Sequence, residues 1–311
     1  MSSSDAVPPN HKKPPEFGWF FMVTYPHEST HSKMKKLTII GLGDVARRAL
    51  PLLSNWSLEA TTRADLDLDA ADFSGLSESP AAVLYTAPPP STGMHDTRLA
   101  ALIDFWQGSA AHHPRHVVYI STAGVYGNCA GARGDESRAV RPESARATRR
   151  VDAERRLIEF ASEHEMSLSI LRAPGIYALE RLPLARLRAG RSVLCAADDG
   201  FSNHIHADDL AAMCVAALNQ PCGIEVFNAC DDAPLPMAEW FCLLAQAAGL
   251  PEPVRLSAAQ MQLEADETTW SFMRESRRIR NDKIKSVLGV VLRYPCVQDF
   301  VRAHAHEIRA L

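Results

Sequence analysis

The most constraining stretch of the chain is LTIIGLGDVA, residues 37–46. An apolar run of this length fits a strand buried on both faces of a parallel sheet. It runs directly into Gly41-x-Gly43-x-x-Ala46 and then into the helix-like DVARRALPLL. A glycine at 41 permits the tight turn, a glycine at 43 lets another group approach the backbone, and Ala46 keeps the helix close to the strand. Strand, glycine turn and helix in this order form a dinucleotide fingerprint. On that reading Gly41, Leu42, Gly43, Asp44 and Val45 line a pyrophosphate at a helix N-terminus. The plain alternative is a tight strand–helix turn with no ligand.

Downstream the pattern keeps alternating. SLEATT (57–62), AAVLYT (81–86), HVVYI (116–120) and SLSILR (167–172) read as strands. Helices are predicted in DTRLAALIDFW (96–106) and from Pro142 to Glu165. The fold class is therefore α/β, a Rossmann-like doubly wound parallel sheet with a small C-terminal substrate-side region. After Ile176 the elements shorten: a helix near 182–189, NHIH, a helix from Asp209 to about Leu218, IEVFNA and the helix MAEWFCLLAQAAG. Three segments follow: a disordered tail over 1–33, an NAD(P)-binding Rossmann domain over 34–250 with insertions from about 177, and a small region over 251–311.

The first 33 residues are rich in Ser, Pro, His and Lys. Within them FGWFFMVTY (17–25) mimics the core of a signal peptide, but no small-residue cleavage site follows it. MKKLTIIG, from Met34, reads as a natural beginning. The net charge of −4 gives no general pull toward nucleic acid or anionic membranes. No apolar run is long enough for a membrane span. The seven cysteines form no C-x-x-C pair and are odd in number, which argues against a disulfide framework or a zinc site. Reduced thiols in the cytoplasm fit better, and no metal is expected.

About twenty residues past the first glycine, NAD-binding folds carry an acid at the end of the second strand. Here Arg63 stands there, after Thr61 and Thr62. An arginine pairs with a 2′-phosphate, so NADP is favoured over NAD; an ordinary solvated arginine is the alternative. Residues 64–80 leave no room for a helix, a parallel strand and a second helix. The third strand is either missing or vestigial around DLDL (65–68), and the adenine side of the pocket is truncated.

GLGDVA, YISTAGVYG, VDAERRL and LRAPGIYA together resemble the extended short-chain dehydrogenase/reductase superfamily. NHIHADDLA and SRRIRNDKIKSVLGVVLRYP are similar to its NAD-dependent epimerase/dehydratase members. The resemblance runs from about Met34 to Pro295 and is nearest to an atypical subgroup with few of the usual active-site residues. It implies NADP or NAD as cofactor and hydride transfer on a small carbonyl or sugar-nucleotide substrate. It also implies that Thr122 polarises the substrate carbonyl with Ser121 beside it, and that Ala87 and Pro88 form the turn over the dinucleotide. Pro174 and Gly175 would lie near the nicotinamide. Relatives pair through the helices after their fourth and fifth strands, which makes a homodimer an expectation.

The same resemblance places a Tyr-x-x-x-Lys pair on the long helix. Counting back from Ala153 and Glu154, the lysine's place is Arg150 and the tyrosine's is Arg146. A guanidinium stays charged and cannot shuttle a proton as tyrosine does. Arg150 could still hydrogen-bond a cofactor ribose. The two arginines, one turn apart, either bind an anionic substrate group or belong to a solvated basic face with Arg149, Arg155 and Arg156. His204 and His206 alternate on a strand and so share a face; His206 could contact substrate and replace the missing acid/base, or be a satisfied structural histidine, and Asp208 or Asp209 reads as an N-cap for the following helix. Asp135 and Glu136 cap or solvate a loop. Arg274, Arg277 and Arg278 either close over an anion or form a charge run. Two functions stand beside each other: an oxidoreductase or epimerase/dehydratase, and a catalytically silent dinucleotide-binding sensor or regulatory protein. A scaffold whose cofactor site is dead is the third.

Overall fold

A computed structural model describes residues 34–311. The expectations for the segment before Met34, its disorder and the signal-like FGWFFMVTY, lie outside the described residues.

Six parallel strands form the central sheet: β1 (Lys35–Ile40), β2 (Trp56–Thr61), β3 (Ala82–Tyr85), β4 (His116–Thr122), β5 (Ser167–Ala173) and β6 (Ile224–Asn228). Their order is β6-β5-β4-β3-β1-β2, with parallel pairing throughout. The apolar runs become the central strands because both faces are covered. Along β4, Val118 and Ile120 pack on one side while Val117 and Tyr119 pack on the other, as the two-residue period of a strand requires. The first side is covered by α1 (Asp44–Ala49) and α5 (Ala207–Asn219), the second by α2 (Thr97–Gly108) and α3 (Ala145–Glu163). Asp96 and Ser144 start α2 and α3 by accepting from the backbone N–H groups of Leu99 and Ala147, so one orphan donor at each helix end is satisfied.

No strand forms between Thr61 and Ala82 among the described residues. The crossover that would carry another strand beyond β2 is reduced to turns. Leu66, Phe73 and Leu76 pin that segment to the α2 side of the sheet, and Glu59 on β2 accepts from Ser77 and Thr38. The order of the sheet reverses between β1 and β3, so the topological switch point lies at the end of β1, where the glycine turn begins.

The later elements are short: α4 (Leu184–Arg188), α6 (Met237–Ala248), α7 (Ala258–Glu264), α8 (Glu267–Met273), α9 (Asp282–Leu288), α10 (Val297–Ala303) and α11 (Ala305–Ala310). The tail from 251 is not one region packed by itself. Ile284, Leu288 and Leu292 join the core that holds α1 and α5. Val297, Phe300, Val301 and Ile308 pack with Trp240 and Leu244 of α6. Only the stretch through α7 and α8 stands over the ends of the sheet, where Met261 and Met273 cluster with Leu194. Among the described residues no helix is long and apolar enough to cross a membrane, and all seven cysteines are free thiols.

Candidate functional site

The turn after β1 is shaped by contacts that only glycine allows. Gly41 has φ +92, and a Cβ there would lie 2.7 Å from the backbone nitrogen of Ala87. Both the left-handed conformation and the close approach exclude a side chain. The N–H groups of Gly41 and Leu42 donate to the Thr61 carbonyl, at 3.2 and 2.9 Å, and Gly43 N–H donates to the Gly41 carbonyl at 2.7 Å. These three donors therefore hold the turn and are not offered to a ligand. The free donors are those of Asp44, Val45 and Ala46 in the first turn of α1, which has no side-chain cap. A Cβ on Gly43 would meet nothing nearer than 3.9 Å, so the approach to these donors is open. The Val45 and Ala46 side chains are buried in the core, leaving only their backbone to face outward.

Asp44 puts a carboxylate at this opening, and two arginines neutralise it. Arg48 Nε and Arg181 Nη1 donate to it at 2.9 and 3.0 Å. Burial alone would raise its pKa; the two arginines outweigh burial and hold it below the ordinary value. Arg48 also donates to Glu180 and to Asp208. The uncapped helix start, the open Gly43 side and the neutralised carboxylate together fit a diphosphate.

On the adenosine side, Arg63 is exposed and lies 3.6 Å from Asp69. Asp69 also accepts two bonds from Arg98, at 2.7 and 2.6 Å, and Arg98 donates to the Pro88 carbonyl at 3.0 Å. The shortened segment thus supplies a carboxylate beside the arginine expected to take a 2′-phosphate. Ala87 is buried under the glycine turn, and Pro88 is exposed above it.

A cleft of about 700 Å³ opens at the carboxyl ends of β4 and β5. Thr122, Pro174 and Gly175 form part of its floor and Arg146 part of its wall. Thr122 Oγ1 accepts from Gly124 N–H at 3.1 Å, which leaves its own hydrogen available for donation. Arg146 is half-buried; Nη1 donates to Ser271 Oγ at 2.8 Å and the guanidinium lies 3.5 Å from the Phe272 ring centroid. α8 therefore brings Phe272 to a residue more than a hundred positions earlier.

Several predicted residues do other work. Arg150 does not line the cleft. Its Nη1 donates to the Tyr119 hydroxyl at 2.8 Å, inside the α3–β4 packing. Arg146 and Arg150 share a helix face, but a buried phenol captures one of them. Ser121 is buried and donates to Glu154 Oε1 at 2.5 Å, which commits its hydroxyl hydrogen to that carboxylate. Glu154 also forms the buried ion pair with Arg172 at 2.7 Å, and Arg172 in turn donates to the Tyr126 hydroxyl. His206 is buried among Tyr177, Tyr294 and Phe300. Its Nδ1 accepts from Asp208 N–H at 3.2 Å, so His206 rather than either aspartate caps α5. Burial lowers its pKa to about 4, and it has no place in the cleft as an acid/base. Asp209 instead accepts the N–H groups of Arg293 and Tyr294. Glu136 accepts from Asn228 N–H at 2.7 Å, and Asp135 from Ser137.

Further groups line the cleft. His204 lines the cleft beside Gly175, and burial lowers its pKa to about 4, so the ring is neutral at pH 7. Arg186 comes from α4, Arg181 from the turn before it, and Trp240 and Phe241 from α6. Glu275 and Arg277 line it as an ion pair. Of the tail arginines, Arg278 donates to the Gly131 carbonyl and packs on Phe201 instead, while Arg274 donates to the Glu143 carbonyl at 3.4 Å. The period-two pattern placed His204 with His206, but no local signal marks Arg186, whose helix is one turn long.

Fold and site define a doubly wound α/β protein with a glycine turn at the switch point and a cleft at the neighbouring strand ends. The model of the NAD dependent epimerase/dehydratase family matches residues 91–230. A conserved protein of unknown function from Silicibacter pomeroyi DSS is 31% identical over 88% of this chain and 99% of its own, with a TM-score of 0.73. The chain belongs to the NAD dependent epimerase/dehydratase family. The same fold occurs in a UDP-glucose 4-epimerase of Thermotoga maritima solved with UDP-glucose (15% identity, 88% of this chain and 99% of that one, TM-score 0.67). It also occurs in RMD of Pseudomonas aeruginosa solved with NADPH (16% identity, 89% and 100%, TM-score 0.66). Comparison with curated proteins finds no significant match.

Proposed function

We propose that this chain binds NAD or NADP across the glycine turn and acts on a small carbonyl or alcohol substrate held in the cleft. One contact carries the reading. Arg181 lines the cleft and donates to Asp44 in the first turn of α1 at 3.0 Å. One side chain thus links the turn and the cleft, which supports a dinucleotide spanning the switch point. The nicotinamide ring supplies hydride exchange when bound. The free N–H groups of Asp44, Val45 and Ala46 would take the diphosphate in the open space beside Gly43, Ala87 and Pro88 would border it, and Pro174 and Gly175 would border the ring. Thr122 donates its hydroxyl hydrogen to the substrate carbonyl oxygen. His204 borders Gly175 as a neutral ring; with burial lowering its pKa to about 4 it offers a hydrogen-bonding group, not a base, near pH 7. Arg63 receives the 2′-phosphate of NADP when Asp69 yields it. Family members of this fold bind UDP-glucose in one case and NADPH in another, which supports a sugar-nucleotide or similar substrate. Pairing of two copies through α2 and α3 belongs to the same reading, as does residence in the reducing cytoplasm, which suits seven free thiols.

The test is thermal unfolding with NADP, NADPH, NAD and NADH in turn. A ligand present at a hundredfold excess over its Kd stabilises the native state by about 2.7 kcal/mol. One of the four should raise the melting temperature, and Gly43→Val should abolish the rise while leaving the fold intact by circular dichroism. No rise with any of them sinks the proposal. A second reading, a silent dinucleotide-binding regulator, is favoured by the arginines at 146 and 150, which cannot exchange protons. It predicts the same thermal shifts with no oxidation of NADPH across a broad carbonyl panel.

A further inference from the structure

We propose that Arg146 and Arg186 are the two poles of an anion receptor in the cleft, built for a carboxylate or phosphate carried on a flat apolar body. The proposal rests on the cleft as the substrate site, and is independent of whether a dinucleotide occupies the glycine turn.

The four arginines that line the cleft fall into two kinds. Arg181 and Arg277 have carboxylate partners, Asp44 and Glu275. Arg146 and Arg186 have none within ion-pair distance among the described residues. Each makes a single hydrogen bond: Arg146 to Ser271 Oγ at 2.8 Å, Arg186 Nη2 to the Ser192 carbonyl at 2.7 Å. A guanidinium offers five N–H donors, so most of their capacity is unused. The Arg186 Nε–H is moreover buried with no acceptor. Both cations are partly withdrawn from water, and burial pushes the pKa of each down. A half-buried cation with no carboxylate in direct contact is costly, and a bound anion lowers that cost.

Their surroundings narrow the ligand. Arg146 lies 3.5 Å from the Phe272 ring centroid and Arg186 5.1 Å from that of Phe241. An aromatic ring thus lies against each guanidinium, and the unused N–H donors suit the planar fork of a carboxylate or two oxygens of a phosphate. Trp240 adds a further flat apolar wall. Glu275, the one carboxylate lining the cleft, is already matched by Arg277, so it does not repel an incoming anion. The helix that the sequence equips with two neighbouring arginines thus contributes one pole, and α4 contributes the other. The anion is then fixed where a tyrosine proton shuttle would otherwise stand.

The experiment titrates the full chain with sodium benzoate and with sodium phosphate, against sodium chloride at equal ionic strength. Binding is read by calorimetry and by ligand-observed NMR. At least one of the two anions should bind saturably while chloride does not. Arg146→Gln and Arg186→Gln should each weaken that binding about tenfold or more, since a charge-assisted fork is worth at least 1.4 kcal/mol. Arg150→Gln, whose side chain is off the cleft, should leave it unchanged. If Arg186→Gln fails to fold, Arg186→Lys keeps the charge but loses the fork and should still show weaker binding. The proposal is overturned by no saturable binding of either anion, by binding indifferent to both positions, or by binding that Gly43→Val removes, which would locate the anion at the glycine turn. Wild-type dinucleotide binding is measured alongside; its absence would refute the cofactor reading without touching the anion result.

Discussion

The glycine turn and the cleft, both touched by Arg181, are made differently. At the turn, recognition comes from backbone: a φ of +92 at Gly41, a close approach to Ala87 and three free N–H groups, all within ten residues of sequence apart from Ala87. At the cleft, side chains converge from the ends of β4 and β5, from α3, α4 and α6, and from the stretch around α8. Backbone geometry is nearly independent of what else the protein binds, whereas a wall of side chains is rebuilt with every substrate. The turn therefore rests on local backbone, and the cleft on side chains that the fold brings together.

The largest expected effect lies beneath the cleft. Glu154→Ala strands Arg172, a guanidinium with 7% side-chain exposure, and should cost about 3–5 kcal/mol by urea unfolding. A loss below about 1 kcal/mol would mean that the cleft floor is not held by this pair. Next, Gly41→Ala should cost about 2–4 kcal/mol, from a left-handed φ and a Cβ 2.7 Å from Ala87 nitrogen. Gly43→Ala, with open space beside it, should cost less than about 1 kcal/mol. Equal costs at the two glycines would break the claim that the turn separates structural from ligand-facing roles.

A pH series compares buried titratable groups. His116, His204 and His206 are lowered by burial to about 4. Between about 4 and 6.5 the folded chain holds fewer protons than the unfolded one, so stability should fall as pH drops through that window, by up to about 3 kcal/mol per histidine. Asp231 behaves in the opposite sense. Burial, followed by the charge of Asp232, raises its carboxyl to about 8. The folded chain then holds the extra proton, and stability is lost as pH rises from about 4 toward 8. Asp231→Asn should flatten that limb and leave the histidine limb intact; an unchanged profile would show that Asp231 is ionised or hydrated in the fold. The smallest effect belongs to the exposed adenosine end. Asp69→Asn frees Arg63 and should shift preference toward NADP over NAD by a few fold in competition binding, with no change in fold stability. A shift toward NAD would remove Arg63 from the cofactor site.

Much of the architecture was legible because it rests on local rules. Short strand-like runs marked five of the six strands, and the 17 residues from 64 to 80 already excluded the extra crossover that the sheet lacks. The sequence pattern groups IEVFNA with the substrate-side elements, but it pairs with β5 as the sixth strand, β6. The tail was less legible. Its polar, irregular sequence suggested one peripheral region, but Ile284 and Phe300 are committed to two different cores. Side-chain roles were the least legible. Periodicity put Arg146 and Arg150 on one face and His204 beside His206, yet only one member of each pair lines the cleft.

The amino-acid sequence alone fixes the parallel sheet, the glycine turn at its switch point and the presence of arginine at 146 and 150, because strand burial, positive φ and side-chain charge are properties of single residues and their near neighbours. The tertiary structure decides which cation faces a ligand. Tyr119 draws Arg150 into the packing, while Phe272 and Phe241 hold Arg146 and Arg186 at the cleft. These partners are remote in sequence, and a long cationic side chain goes to whichever acceptor or aromatic face the folded chain brings within its reach.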